Sequence, residues 1–137
     1  MSPRAENEII ELHQFFQDWF NGVLENTDKA FARFTDVMSE GFGIISPAGQ
    51  ISELDELTDS LRAAYGSHSK IRIWIENIQL RRQDGRMLIA TYEEWQQVGD
   101  DTPYGRVSTV VFRENIDMPN GLEWFHVHET WIHEHGE

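Results

Sequence analysis

Five polar side chains, Glu94, Gln96, Ser108, His126 and His128, fall at two-residue steps inside stretches otherwise built from Ile, Leu, Val, Phe and Trp, with Arg106 and Thr130 at the ends of the same stretches. Residues two apart on a β-strand point to one face, so these groups share a surface with apolar neighbours. A buried polar group without a partner costs roughly 1–3 kcal/mol, and an unpaired charge more. Sealed apart from one another they would be intolerable. They must therefore join in a network or line a cavity, and apolar walls with a few convergent polar groups describe a small-ligand site. Glu94 beside His126 would orient the imidazole and raise its basicity, while burial pushes the carboxyl's proton affinity upward. Either could then serve as a general base or acid near neutral pH. Glu94 and His126 are the candidate catalytic residues, and Trp19, Tyr92, Gln96, Arg106, Ser108, Trp124 and His128 the candidate ligand contacts.

Other chemistry on the same residues is less economical. Ser108 next to His128 suggests an activated hydroxyl, yet no nucleophile elbow or oxyanion hole accompanies it, so Ser108 is expected only to donate a hydrogen bond. Two His at i and i+2, with Glu94, would make a two-His-one-carboxylate metal set. Neutral His–Glu hydrogen bonds account for the pair equally well, and neither a metal nor a cofactor is expected. His133 and His135 enlarge the count without adding geometry, and His13 reads as a core or edge histidine. The competing reading of the whole group is a satisfied polar network that fixes the core.

The elements that must position these residues divide the chain, with helices in the first half and strands in the second. That segregation predicts an α+β domain with helices over one face of an antiparallel sheet. Ser2 is placed to cap a long amphipathic helix with Ile9, Leu12, His13, Phe16, Trp19, Phe20 and Val23 on its apolar face. Thr27 caps a short second helix carrying Phe31, Phe34, Val37 and Met38, after which Gly41 and Gly43 release a brief strand ending at Pro47. Ser52 with Asp55 resembles a capping box, and Leu54, Leu57, Leu61 and Tyr65 form the stripe of a third helix stopped by Gly66.

From Ile71 the period becomes two. A long strand with a bulge near Glu76 and Asn77, a turn at Asp84-Gly85, and three further strands give a meander. Setting residue 83 opposite 86, 98 opposite 106 and 114 opposite 122 places Ile75, Glu94, Val110 and His126 in one row. Ile73, Gln96, Ser108 and His128 form the next, and Asn77, Tyr92, Phe112 and Trp124 a third. The opposite face then collects Arg72, Trp74, Glu76, Glu93, Trp95, Thr109, Val111, Arg113, Phe125, Val127, Glu129 and Trp131. Its aromatic centre, Trp74, Trp95, Phe125 and Trp131, predicts a homodimer packed sheet to sheet.

The chain has 137 residues, 39% of them hydrophobic, one domain's worth spanning 1–137. Its 24 acidic and 11 basic side chains leave a net charge of −13, which argues against nucleic acid and anionic membranes as partners. With no Cys, thiolate chemistry and disulfides are excluded. No apolar run is long enough to span a bilayer and MSPRAENEII lacks a signal peptide's apolar core, so a cytoplasmic location is expected.

The order of elements resembles the nuclear transport factor 2-like, cystatin-type α+β fold, especially its SnoaL-like members and the association domain of calcium/calmodulin-dependent kinase. The motifs that carry the resemblance are the first helix ending in WFNG, the stretch FTDVMSEGFGIISPAGQ, the helix starting at Ser52, and LEWFHVHETW with its His126-x-His128 pair. The resemblance implies a cone-shaped domain in which three N-terminal helices pack on a curved, mainly antiparallel sheet, with a pocket between the two layers. It also implies functions ranging from isomerases, dehydratases and cyclases to ligand carriers and domains that only oligomerise. The leading expectation is a small-molecule-binding domain, with Glu94 and His126 handling a proton if it is an enzyme. The alternative is a non-catalytic homo-oligomerisation module.

Overall fold

The computed structural model describes residues 3–132; the expected cap Ser2 and the histidines at 133 and 135 lie outside them. Helix α1 (Pro3–Phe20) is followed by α2 (Asp28–Thr35), β1 (Met38–Ile45), β2 (Ile51–Glu53), α3 (Leu54–Ala63), β3 (Ile71–Asp84), β4 (Met87–Val98), β5 (Tyr104–Glu114) and β6 (Leu122–Trp131). The strands form one sheet in the order β2-β1-β6-β5-β4-β3, antiparallel throughout except for the parallel contact of β1 with β6. The α+β arrangement expected from the sequence is the one observed.

Apolar spacing explains α1. Ala5, Ile9, Leu12, Phe15 and Trp19 recur at three and four residues and are buried against the sheet. Thr27 caps α2, its hydroxyl accepting from Ala30 N at 3.1 Å. The third helix starts later than the sequence suggested. Ser52 lies in β2, and it is Glu53 that precedes the helix, its N–H donating to the Glu56 side chain at 3.2 Å. Residues 51–53 pair with β1, so the backbone groups of the expected cap are spent on a strand. Val37, expected on α2, follows its end, and Val23 is exposed beyond α1.

Register decides what faces the helices. The Asp84↔Met87 pair places the hairpin turn at Gly85-Arg86, one residue later than expected, and two bulges in β3 absorb the difference. Asn77, in the left-handed region at φ 54°, sits at the first of them, and Ile75 and Ile73 meet Glu94 and Gln96 as expected. Between β4 and β5 the pairing is displaced by four residues. Gln96 meets Tyr104, Glu94 meets Arg106, Tyr92 meets Ser108 and Ala90 meets Val110. An even displacement keeps every side chain on its face, so the expected rows are wrong there and the expected faces are right.

In β6 the displacement is odd. Phe112 meets Trp124 as expected, but Val111 meets His126, leaving Phe125 as an inserted residue. From that bulge onward Val127 and Glu129 point inward and are buried, while His126 is half-buried and His128 exposed on the other face. The same point is irregular in β1, where pairing with β6 jumps from Met38–Trp124 to Gly43–His126. Ser39 Oγ donates to Trp124 O at 2.9 Å and Trp124 N to Val37 O at 2.8 Å, satisfying backbone groups that the bulge frees.

Candidate functional site

Between the helices and the inner face of the sheet lies a cavity of about 280 Å3. Phe16, Phe34, Met38, Phe42 and Trp124 are among its apolar walls, with Leu57 and Leu61 of α3 on the remaining side. Its polar end is formed by His13, Tyr92, Glu94, Gln96, Arg106 and Glu129.

His13 reaches this end from the first helix. Its Nδ1 lies 2.7 Å from Ile9 O and its Nε2 3.1 Å from Glu94 Oε1. Ile9 O can only accept, so Nδ1 carries a hydrogen and donates to it; with Glu94 ionised, Nε2 donates as well. Glu94 Oε2 accepts from Gln96 Nε2 at 2.5 Å, and Gln96 Oε1 accepts from the Tyr104 hydroxyl at 2.8 Å. A single chain of hydrogen bonds thus runs from a backbone carbonyl of α1 to a half-exposed phenol. Burial opposes charge on Glu94, but the charge and hydrogen bond of His13, helped by Arg106 and Gln96, outweigh it and hold the carboxyl down at about 2. Burial likewise opposes charge on His13, and Glu94 outweighs it, raising the imidazole above its ordinary value.

Arg106 and Glu129 form the second half of the polar end. Arg106 Nη1 donates to Glu129 Oε1 at 3.1 Å, and its Nη2 lies 3.9 Å from Glu94 Oε2. Burial raises the Glu129 carboxyl above its ordinary value; Arg106 pulls it down and the Glu94 charge pushes it further up. Trp131 stands over the guanidinium at 5.4 Å and meets the Tyr104 ring edge-on at 5.9 Å. Tyr92, wholly buried, has its phenol pushed well above the ordinary range by burial and by the charges of Glu94 and Glu129.

Of the residues singled out from sequence, the fold brings Tyr92, Glu94, Gln96, Arg106 and Trp124 to the cavity wall. Ser108 is fully buried on the same face opposite Tyr92, behind that wall. Trp19 does not reach the cavity. It packs at 4.9 Å from the Phe31 ring and 4.8 Å from Tyr65, its Nε1 donating to Leu61 O at 2.7 Å, and so joins α1 to α3. His126 and His128 are on the far side of the sheet, and the Glu94–His126 pairing does not occur. Trp131, expected on the outer face, stands on the Arg106 side of the sheet, over the guanidinium.

Three residues of the site escaped sequence reasoning: His13, Glu129 and Tyr104. A signal for Glu129 exists in the phase of β6, where Trp124 and Phe125 stand side by side and Val127 follows, so the apolar residues change from even to odd positions. His13 shares a helical face with Ile9 and Leu12, which marks it as inward but does not name its partner 81 residues away.

Comparison with known proteins places these features in context. The family model described as "Sucrose-6-phosphate phosphohydrolase C-terminal" matches residues 5–133. Sucrose-phosphatase 1 of Nicotiana tabacum is 23% identical over 127 residues, covering 91% of this chain but only 30% of that protein. Among solved structures, an NTF2-like protein of unknown function from Pseudomonas aeruginosa superposes with a TM-score of 0.84 at 24% identity, covering 95% of this chain and 99% of the other. The CaMKII hub of S. rosetta gives 0.62 at 14%, covering 87% and 92%. These likenesses show the NTF2-like fold, and the match along nearly the whole sequence shows that the chain belongs to the sucrose-6-phosphate phosphohydrolase C-terminal family.

Proposed function

We propose that this domain binds a small molecule with a mainly apolar body in the cavity between helices and sheet, and that it acts by binding rather than by proton transfer at Glu94. The observation that carries the reading is the cavity itself. At about 280 Å3 it sits near the lower edge of the range occupied by small-ligand sites, and it has the apolar walls and gathered polar end of such sites. A carboxyl held at about 2 is a weak base near neutral pH, and an imidazolium with both N–H groups engaged has no free lone pair. The phosphohydrolase named by the relatives is a protein of which this chain spans 30%, so its activity is not carried over to the domain.

The test is a titration of the protein with naphthalene, a rigid apolar probe, followed by NMR and thermal unfolding. Shifts should concentrate on residues around Phe16, Phe34 and Phe42, and at 100 times Kd the complex should be stabilised by about 2.7 kcal/mol. Leu57→Trp, which fills the helix-side wall, should remove both effects while the protein stays folded. Binding that survives Leu57→Trp, or an absence of binding to the parent protein, overturns the reading.

A second reading, self-association through the outer face, is favoured by Trp74 and Trp95, which pair directly across β3 and β4, and by Phe125, 37% exposed. With Trp131 over Arg106 on the other face, the patch is smaller than the sequence suggested. Sedimentation of Trp74→Glu against the parent chain tests it: a dimer converted to monomer supports this face, and an unchanged dimer excludes it.

A further inference from the structure

The polar end of the cavity is not uniform in how far its groups are satisfied. A buried carboxylate with a purely structural task is available for comparison in the same molecule. Glu8, completely buried, accepts from Arg33 Nη1 at 3.2 Å and Nη2 at 2.9 Å, from Asn120 Nδ2 at 3.0 Å and from Trp124 Nε1 at 2.7 Å. Both oxygens are saturated, and the group ties α1 to α2 and β6. Glu94 has both oxygens engaged, each by one donor, His13 on one and Gln96 on the other.

Arg106 and Glu129 differ from both. The guanidinium has five N–H bonds, yet among the described residues it makes one hydrogen bond, from Nη1 to Glu129 Oε1. Nη2 is 3.9 Å from Glu94, too far to count as a hydrogen bond, and Nε is buried with no partner among the described residues. Glu129 Oε2 accepts from no protein donor among the described residues, although Glu129 lines the cavity. A donor and an acceptor of one ion pair therefore stand open on the cavity wall. The four ionisable groups gathered here are two bases, His13 and Arg106, against two acids, Glu94 and Glu129, a matched set that offers no surplus charge to an ionic ligand.

Resting on the binding function proposed above, we infer that Arg106 and Glu129 are the ligand-holding pair of the cavity and that the ligand presents to them a neutral hydroxyl group on an apolar body. A hydroxyl accepts through its lone pairs and donates through its hydrogen, so one such group answers Arg106 Nη2–H and Glu129 Oε2 together. A carboxylate or phosphate would satisfy the guanidinium but meet Glu129 and Glu94 with like charge, and an ammonium would do the reverse. The locked chain from His13 to Tyr104 holds Glu94 beside Arg106 and so fixes where the guanidinium points. Phe16, Phe34 and Phe42 supply the apolar walls.

Three probes of one shape test this: naphthalene, 2-naphthol and 2-naphthoate, titrated calorimetrically at pH 7. The expected order is 2-naphthol tighter than naphthalene by about ten-fold, the worth of one well-made hydrogen bond, with 2-naphthoate weakest. Glu129→Gln should reduce the 2-naphthol advantage. The double variant Arg106→Met with Glu129→Leu, which removes both charges and leaves neither unpaired, should abolish it while naphthalene still binds. Tightest binding of 2-naphthoate overturns the inference, as does an equal affinity for naphthalene and 2-naphthol, or an advantage that persists in the double variant. In each of those cases the cavity reading survives, because naphthalene binds. If none of the three binds, the cavity reading fails and this inference fails with it.

Discussion

His13 and Glu94 show how a single buried pair can set the pH range of a fold. A group raised in the folded protein stabilises it below its unfolded value and loses that contribution as pH rises through the folded value; His13 is such a group, raised from 6.5. A lowered group stabilises above its unfolded value and loses the contribution as pH falls; Glu94 is lowered from 4.5 to about 2. Both contributions are complete between 4.5 and 6.5, so unfolding free energy measured by urea at several pH values should be greatest there. Glu129, raised from 4.5, contributes fully below 4.5 and loses that contribution as pH rises through its folded value, so it draws the maximum toward the acid end of this window. Replacing His13 by Ala leaves Glu94 charged and short of a donor, and should cost about 3–5 kcal/mol in a denaturant titration. The double variant His13→Leu with Glu94→Leu should cost less than the sum of its single changes. His128→Ala, on the exposed side, should stay within about 0.5 kcal/mol of the parent.

One inserted residue in β6 has more influence on the site than any element boundary. Phe125 reverses the facing of everything after it, exchanging two histidines for Val127 and Glu129 on the inner surface. Deleting Phe125 should restore an uninterrupted ladder in the register β6 already has, with Val127 and Glu129 still inward and the Arg106–Glu129 pair intact. The expected outcome is a retained cooperative thermal transition, read by circular dichroism, whereas inserting a second residue beside Phe125, which would turn Glu129 outward and leave Arg106 without it, should abolish the transition. Gly105 is the counterpart in β5. A Cβ there would stand 2.8 Å from ring carbons of Trp95, so Gly105→Ala forces the indole aside and should cost about 1–3 kcal/mol of stability.

At the scale of the molecule, the two layers are joined by polar ties as well as by the core. Glu8 links α1 to Arg33 of α2, to Asn120 in the β5–β6 connection and to Trp124 of β6. Trp19 links α1 to the end of α3. The cavity lies between these two ties, which hold the helices above the sheet where the apolar side chains leave space. Glu8→Ala should therefore loosen the helical layer as a whole, lowering the midpoint of thermal unfolding and costing about 3–5 kcal/mol, since Arg33 would lose its buried partner.

Local information in the chain was enough for the helix-then-strand order, the inward stripe of α1, the Thr27 cap and the facing of β4 and β5. Each of these follows from periodicity and near-neighbour hydrogen bonding. It was also enough to mark Glu94, Gln96, Tyr92 and Arg106 as polar or aromatic groups on a covered face. Their partners were beyond its reach. Facing survives an even change of register and is lost by an odd one, and the bulge in β6 coincides with the break in its pairing with β1, a strand far away in sequence. For the same reason the imidazole beside Glu94 comes from a helix and the carboxylate beside Arg106 from the residue after His128. A charge takes the partner that packing brings within reach, and packing is settled by the whole chain.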